Sequence, residues 1–196
     1  MPTTAPASTL RVALVGNPNT GKSTLFSALA GVRQRVGNYP GVTIEKKTGL
    51  LRNGDLTLEL IDLPGTYSLA PHSPDDLVVV EVLLGRLADQ PAPDAVLSIV
   101  DASNLERNLF LLSQVLSLEL PTIVALNMVD LAQKREIDID VPMLAQRLGV
   151  PVVAVQANRH IGLRQLKKEL AAKVRESSQP GQRKLERENV RDNPFP

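Results

Sequence analysis

Gly16-Asn-Pro-Asn-Thr-Gly-Lys-Ser23 follows directly on the apolar run Leu10 to Val15. The run is short, valine-bearing and free of charges after Arg11, as a buried strand is. Beyond the glycines, Leu25, Phe26 and Leu29 recur at helical spacing, and Gly31 closes the segment. A strand, a glycine loop and a helix in that order are the context in which G-x-x-x-x-G-K-[ST] cradles phosphate. Backbone N–H groups of Gly16, Asn17, Pro18, Asn19, Thr20, Gly21, Lys22, Ser23 and Thr24 (proline lending only its carbonyl and ring) surround such a site, helped by the helix N-terminus. Lys22 is expected to reach the terminal phosphates and Ser23 to ligate Mg²⁺.

Downstream, the alternation continues. Thr48 to Arg52 and Thr57 to Ile61 read as two strands joined by Asn53-Gly54-Asp55, a hairpin signal. Asp75 to Ala88 reads as a helix, with Ser73 as cap and Pro74 in the first turn. Ala95 to Val100, Thr122 to Leu126 and Val152 to Val155 read as strands. Asn104 to Leu118, Val141 to Leu148 and Leu163 to Arg175 read as helices. The expectation is an α/β fold: a six-stranded, mostly parallel sheet with one antiparallel edge strand and helices on both faces. Ligands of such sheets bind beyond the carboxyl ends of the strands. Residues 1–9 read as a flexible leader, 10–176 as one domain and 177–196 as a polar tail.

Composition narrows the function. The 196 residues are 43% hydrophobic, enough for one core. The net charge of +1, from 22 basic and 21 acidic residues, offers no field to attract nucleic acid. With three Phe, two Tyr and no Trp, base-stacking platforms are not expected. Cysteine is absent, and His72 and His160 stand far apart, so both read as solvated loop residues rather than ligands. No stretch of about 20 apolar residues occurs in the sequence.

Two further strand ends carry chemistry. Asp62-Leu-Pro-Gly65 has the D-x-x-G pattern: the carboxylate of Asp62 can hold Mg²⁺ through water, and Gly65 lets its backbone approach a terminal phosphate. Asn127-Met-Val-Asp130 places a carboxylate where it can accept from guanine N1–H and the exocyclic amine, donors that adenine lacks there. Met128 stands where a lysine is commoner, and its flexible chain could pack on the base or ribose. In Gln156-Ala157-Asn158, the Ala157 N–H could reach guanine O6.

In this order the elements resemble a P-loop GTPase of the translation-factor-related class. Three stretches narrow the likeness: QRVGNYPGVTIEKK (34–47), DLPGTYSL (62–69) and DASNLERNL (101–109) are similar to the cytosolic G domain of the ferrous iron transporter B family, from about Arg11 to Val174. The resemblance implies GTP hydrolysis, slow and K⁺-stimulated, with GTP or GDP, Mg²⁺ and K⁺ bound. It implies that Arg33 to Thr43 form switch I and Asp62 to about Asp75 switch II. Thr43, flanked by Gly41 and Val42, would close on Mg²⁺ and the γ-phosphate, and Asn19 would give a side-chain oxygen to K⁺. Lys22, Thr43 and Asn19 are thus the expected catalytic set. Gln156 departs from the Ser-Ala that many GTPases carry. Thr66 stands where Ras-like enzymes have a water-orienting glutamine, so backbone atoms around Tyr39 to Gly41 are the expected substitute. Arg33 and Arg35 read as a solvated face rather than arginine fingers. The implied partners are a membrane transport domain and a helical regulatory domain, at the cytoplasmic face of the membrane; oligomerisation is left open. Two other readings compete: a nucleotide switch with negligible turnover, and a ribosome- or RNA-linked GTPase, against which the neutral charge argues.

Overall fold

In the computed structural model, which describes residues 9–32, 34–87 and 90–177, one seven-stranded sheet organises the chain. The strands are β1 (Leu10–Gly16), β2 (Gln34–Asn38), β3 (Glu45–Asn53), β4 (Leu56–Asp62), β5 (Ala95–Asp101), β6 (Thr122–Asn127) and β7 (Val152–Ala154), in the order β2-β3-β4-β1-β5-β6-β7. From β4 to β7 all neighbours are parallel; β3 runs antiparallel to β4 and β2 antiparallel to β3. The sheet therefore has seven strands rather than the six expected, and two of them, not one, form the antiparallel end. The extra strand is β2, which escapes a hydrophobicity reading because all five of its residues are exposed. The hairpin is as expected: Asn53 pairs with Leu56, and Gly54 takes the left-handed angle (φ 65°) that the tight turn requires.

Among the described residues, six helices flank the sheet: α1 (Lys22–Ala30), α2 (Pro74–Leu83), α3 (Leu105–Leu116), α4 (Val129–Lys134), α5 (Val141–Leu148) and α6 (Leu163–Ser177). Helix α2 starts as expected, since the Ser73 side chain accepts from Asp76 N–H and Pro74 occupies the first turn. It ends at Leu83 rather than Ala88, where the backbone turns at Gly85 (φ 64°). The helix expected from Asn104 begins as a 3-10 turn, Ala102–Asn104, before α3. Helix α4 is additional to the expected set: at six residues it is too short for a periodic signal.

Alternation along β1 sets the two faces. Val12 and Leu14 pack with Leu25, Phe26 and Leu29 of α1 and Leu166 and Leu170 of α6. Ala13 and Val15 pack on the other side, with Val79 and Leu83 of α2 and Leu111 and Val115 of α3. A third cluster joins α3, α4 and α5 to β6 through Leu112, Leu126, Ala132 and Leu144. The expected leader and tail lie outside the described residues apart from Thr9 and Ser177, the latter being the last residue of α6. Among the described residues no helix is long and apolar enough to cross a membrane.

Candidate nucleotide site

Parallel pairing brings the three motifs together. Leu14 in β1 is in register with Asp62 in β4, and Gly16 with Ile99 in β5, so the Gly16–Ser23 loop emerges between the ends of its two neighbours. The loop is a compact turn: the Thr20 N–H and hydroxyl both donate to Asn17 O, at 3.4 and 2.9 Å. Gly21 then takes φ +80°, and a Cβ there would lie 2.4 Å from Asn127 Nδ2. Both the angle and the close approach demand glycine.

Lys22 and Ser23 open α1 and turn toward β4. Lys22 Nζ lies 2.5 Å from Asp62 Oδ1, with both side chains largely buried, and Ser23 Oγ is 3.4 Å from Asp62 Oδ2. A hydroxyl and a carboxylate side by side are the hard oxygen donors Mg²⁺ takes, so these residues fit that ion. Thr24 follows, exposed on α1. Gly65 sits against the loop: a Cβ would be 3.2 Å from three atoms of Pro18. The Thr66 N–H donates to Gly16 O (3.3 Å), tying the D-x-x-G turn to the phosphate loop.

At the other end, Asn127 clasps three loops. Its Nδ2 donates to Thr20 O (2.9 Å), and its Oδ1 accepts from Ala157 N–H (3.1 Å). The Ala157 N–H expected to face guanine O6 is thus engaged with Asn127. Met128 adopts the left-handed region (φ 60°) as N-cap of α4, and its Cε is 3.5 Å from the position a Gly21 Cβ would take, so it lies along the phosphate loop. Asp130 is half-buried in the first turn of α4, and among the described residues nothing engages its carboxylate. Gln156 exchanges two backbone hydrogen bonds with Ile161, closing the loop that presents Ala157. Gln156 Oε1 and Asn17 Nδ2 are both buried and unpaired.

Asn19 is exposed and left-handed (φ 67°). Asparagine tolerates that region better than other side chains, so the turn itself gives a reason for it that spacing does not reveal. Gly41, Val42 and Thr43 are exposed after β2, and no hydrogen bond joins Thr43 to the Lys22–Ser23–Asp62 cluster among the described residues. Arg33 lies outside them; Arg35 is exposed on β2. Tyr39 is instead buried, 1% exposed, in the core cluster with Val15 and Leu63, and its hydroxyl has no partner. Burial and then the Asp62 carboxylate push its phenol well above the usual pKa.

Several side-chain contacts around the site have no sequence signal. Thr66 is buried, its hydroxyl 2.6 Å from Asp76 Oδ1 and 2.7 Å from Ser68 O. Burial alone would raise the Asp76 carboxyl, but hydrogen bonds from Thr66, Ser73 and the His72 and Ser73 backbone outweigh it and hold the group below its usual value. Gln114 Oε1 in α3 accepts from Ser68 Oγ (3.2 Å) and Leu69 N–H (2.7 Å). Arg107 stacks 4.2 Å over the Tyr67 ring. Asp101, a third strand-end carboxylate, is absorbed locally by Ser103 and Asn104. His72 and His160 are both exposed.

Known proteins are similar to this chain in sequence and fold. The family model FeoB_N, Ferrous iron transport protein B, matches residues 10–170. The Fe(2+) transporter FeoB of Salmonella typhimurium is 48% identical over 158 residues, which cover 81% of this chain and 20% of that protein. The chain thus spans about a fifth of the length of the curated relatives it matches. Among solved structures, a point mutant of S. thermophilus NFeoB bound to mGDP aligns with a TM-score of 0.77 at 45% identity, covering 84% of this chain and 61% of that one. The G domain of the T. maritima FeoB iron transporter aligns with a TM-score of 0.76 at 39% identity, covering 88% of this chain and all (100%) of that one. With its P-loop GTPase fold and a match running from β1 into α6, the chain belongs to the ferrous iron transport protein B family, as a G domain of that family.

Proposed function

We propose that this domain binds guanine nucleotide, hydrolyses GTP to GDP and phosphate, and reports its nucleotide state to a membrane domain that carries ferrous iron. The observation that carries the reading is the convergence of three strand ends: Lys22, Ser23 and Asp62 at one side of the loop, the Asn127 clasp and the unengaged Asp130 carboxylate at the other. Relatives named Fe(2+) transporter and neighbours solved with GDP support it.

Hydrolysis here is positioning plus electrostatics. Lys22 exchanges its Asp62 partner for β- and γ-phosphate oxygens. Ser23, Thr43 and Asp62 would hold Mg²⁺, and Thr43 would have to travel inward to do so. When bound, Mg²⁺ and K⁺ would supply positive charge beside the phosphates, and Asn19 would be the residue that holds the K⁺. Gly41, Val42 and Gly65 let backbone approach the γ-phosphate, Asp130 reads the guanine edge, and Met128, Gln156 and Ala157 wall the base. Thr66 does not orient water, because its hydroxyl is committed to Asp76 and Ser68. That commitment also favours a second reading, a switch that binds and exchanges nucleotide with scarcely any turnover. The membrane face, the transport domain and a helical regulatory domain are the expected surroundings; RNA is not an expected partner.

Single-turnover GTP hydrolysis with Mg²⁺, in KCl and in NaCl at matched ionic strength, tests this. Faster hydrolysis in KCl, lost in Asn19→Ala while GDP still binds, is expected. Equal rates in both salts would remove K⁺ and leave the switch reading. Failure to bind GDP at all would overturn the proposal.

A further inference from the structure

Strand β2 is the outermost strand of the sheet, and all five of its residues are exposed, so among the described residues one full row of its backbone groups has no partner strand. The ladder defines which row. Tyr39 N–H donates to Ile44 O (3.0 Å), and this pair continues the register Gly37↔Lys46 and Arg35↔Thr48. Hydrogen-bonded and non-bonded pairs alternate in an antiparallel ladder, so Arg35, Gly37 and Tyr39 direct their N–H and C=O groups at β3. Gln34, Val36 and Asn38 direct theirs outward.

Proteins normally protect such an edge with lysines, prolines, bulges or a covering element. Gln34–Asn38 has no proline or lysine, and a single charge, Arg35. We propose that β2 is a docking edge for β2 of a second copy of this chain, paired antiparallel about a twofold axis through Val36. The sequence is self-complementary in that register. Val36 faces Val36, which is 64% exposed, and Gln34 faces Asn38. Arg35 faces Gly37, so the one charge never opposes itself directly. The outward row is the row this register needs: Val36 with Val36, and Gln34 with Asn38 twice, give roughly six inter-strand hydrogen bonds. The two Arg35 side chains become diagonal neighbours about 7–8 Å apart, close enough for mild repulsion. An interface of five residues a side falls in the weak, transient class, so the pairing is a concentration-dependent one.

The chain has no cysteine, which makes the test clean. Directly opposed hydrogen-bonded residues have Cα atoms about 5.5 Å apart, within the range a disulfide spans. Under mild oxidation, Val36→Cys is expected to give a covalent dimer much faster than Val32→Cys, whose site is fully exposed (101%) but lies off the strand. In sedimentation equilibrium at rising concentration, the unmodified chain is expected to dimerise and Arg35→Gln to dimerise more tightly. Val36→Pro should abolish dimerisation while keeping its circular dichroism, because the N–H it removes points away from β3. A monomer at every concentration, a dimer indifferent to Val36→Pro, or cross-linking of Val36→Cys no faster than of Val32→Cys would each overturn the proposal. Should Val36→Pro unfold, the cysteine comparison decides alone.

Discussion

Replacing Gly21 with alanine should act mainly through Asn127. The new Cβ would lie 2.4 Å from Asn127 Nδ2, while Met128 Cε at 3.5 Å makes only ordinary contact. The amide therefore has to leave, giving up its bonds to Thr20 O (2.9 Å) and Ala157 N–H (3.1 Å). A buried group left unpaired costs about 1–3 kcal/mol, so the two together cost about 2–6 kcal/mol. The left-handed angle at Gly21 adds about 1–2 kcal/mol for any residue with a Cβ. Asn127→Ala should lose the same two hydrogen bonds without the backbone penalty. The double variant should then be no worse than Gly21→Ala alone, to within about 1 kcal/mol, because the atom the Cβ strikes is gone. Urea unfolding of nucleotide-free protein, with the slope checked for constancy across the four proteins, measures this cycle. Additive losses would refute the reasoning. So would a Gly21→Ala cost no larger than the backbone penalty of about 1–2 kcal/mol, which would show that Asn127 is not displaced.

Asp130→Asn should weaken GTP and GDP binding and shift preference toward xanthine nucleotides, read by competition titration; unchanged guanine selectivity would remove Asp130 from the base site. Lys22→Ala leaves the Asp62 carboxylate buried without its cation, which should destabilise the domain by about 3–5 kcal/mol; adding Asp62→Ala should restore stability but not nucleotide affinity, and restored affinity would place the phosphates elsewhere. The Asp76 carboxyl is held below its ordinary value of 3.8, so its stabilisation is fully present above that pH and is lost as pH falls through the folded pKa. Asp76→Asn should therefore be less stable than the parent at pH 7, with the gap closing as pH falls below the ordinary carboxyl value and through the folded pKa in thermal melts; a constant gap would mean that the carboxylate charge is not what holds the turn.

Much of this is legible in the residues alone, for a physical reason. The phosphate loop, the D-x-x-G turn and the N-x-x-D turn each combine a backbone demand with a chemical one, and both leave residues in the sequence. The hairpin and the capped start of α2 are equally local. What stays hidden depends on tertiary contact. Strand β2 has no buried face to imprint a pattern, so only its ladder with β3 makes it a strand. Thr66, Asp76 and Gln114 are ordinary polar residues until the fold brings the D-x-x-G turn against α2 and α3. Tyr39 lies in a glycine- and proline-rich stretch with no periodic signal to mark a buried residue, yet its ring is in the core. Asn19 carries a double meaning, since the left-handed angle of its turn selects asparagine whether or not an ion follows.

The two tyrosine environments give the domain an optical property of its own. The chain has two tyrosines and no tryptophan, so nothing else dominates its ultraviolet emission. Tyr39 is in the segment before Thr43 and is sealed in the interior, whereas Tyr67 follows Thr66, is 45% exposed and lies under Arg107. Each proposed switch segment thus carries one native fluorophore, one dry and one wet. Withdrawal of Tyr39 from the core and release of Tyr67 from Arg107 would alter quenching and anisotropy separately, and Tyr→Phe at either position would isolate the other signal. Motion of the two segments can be timed on the unlabelled protein.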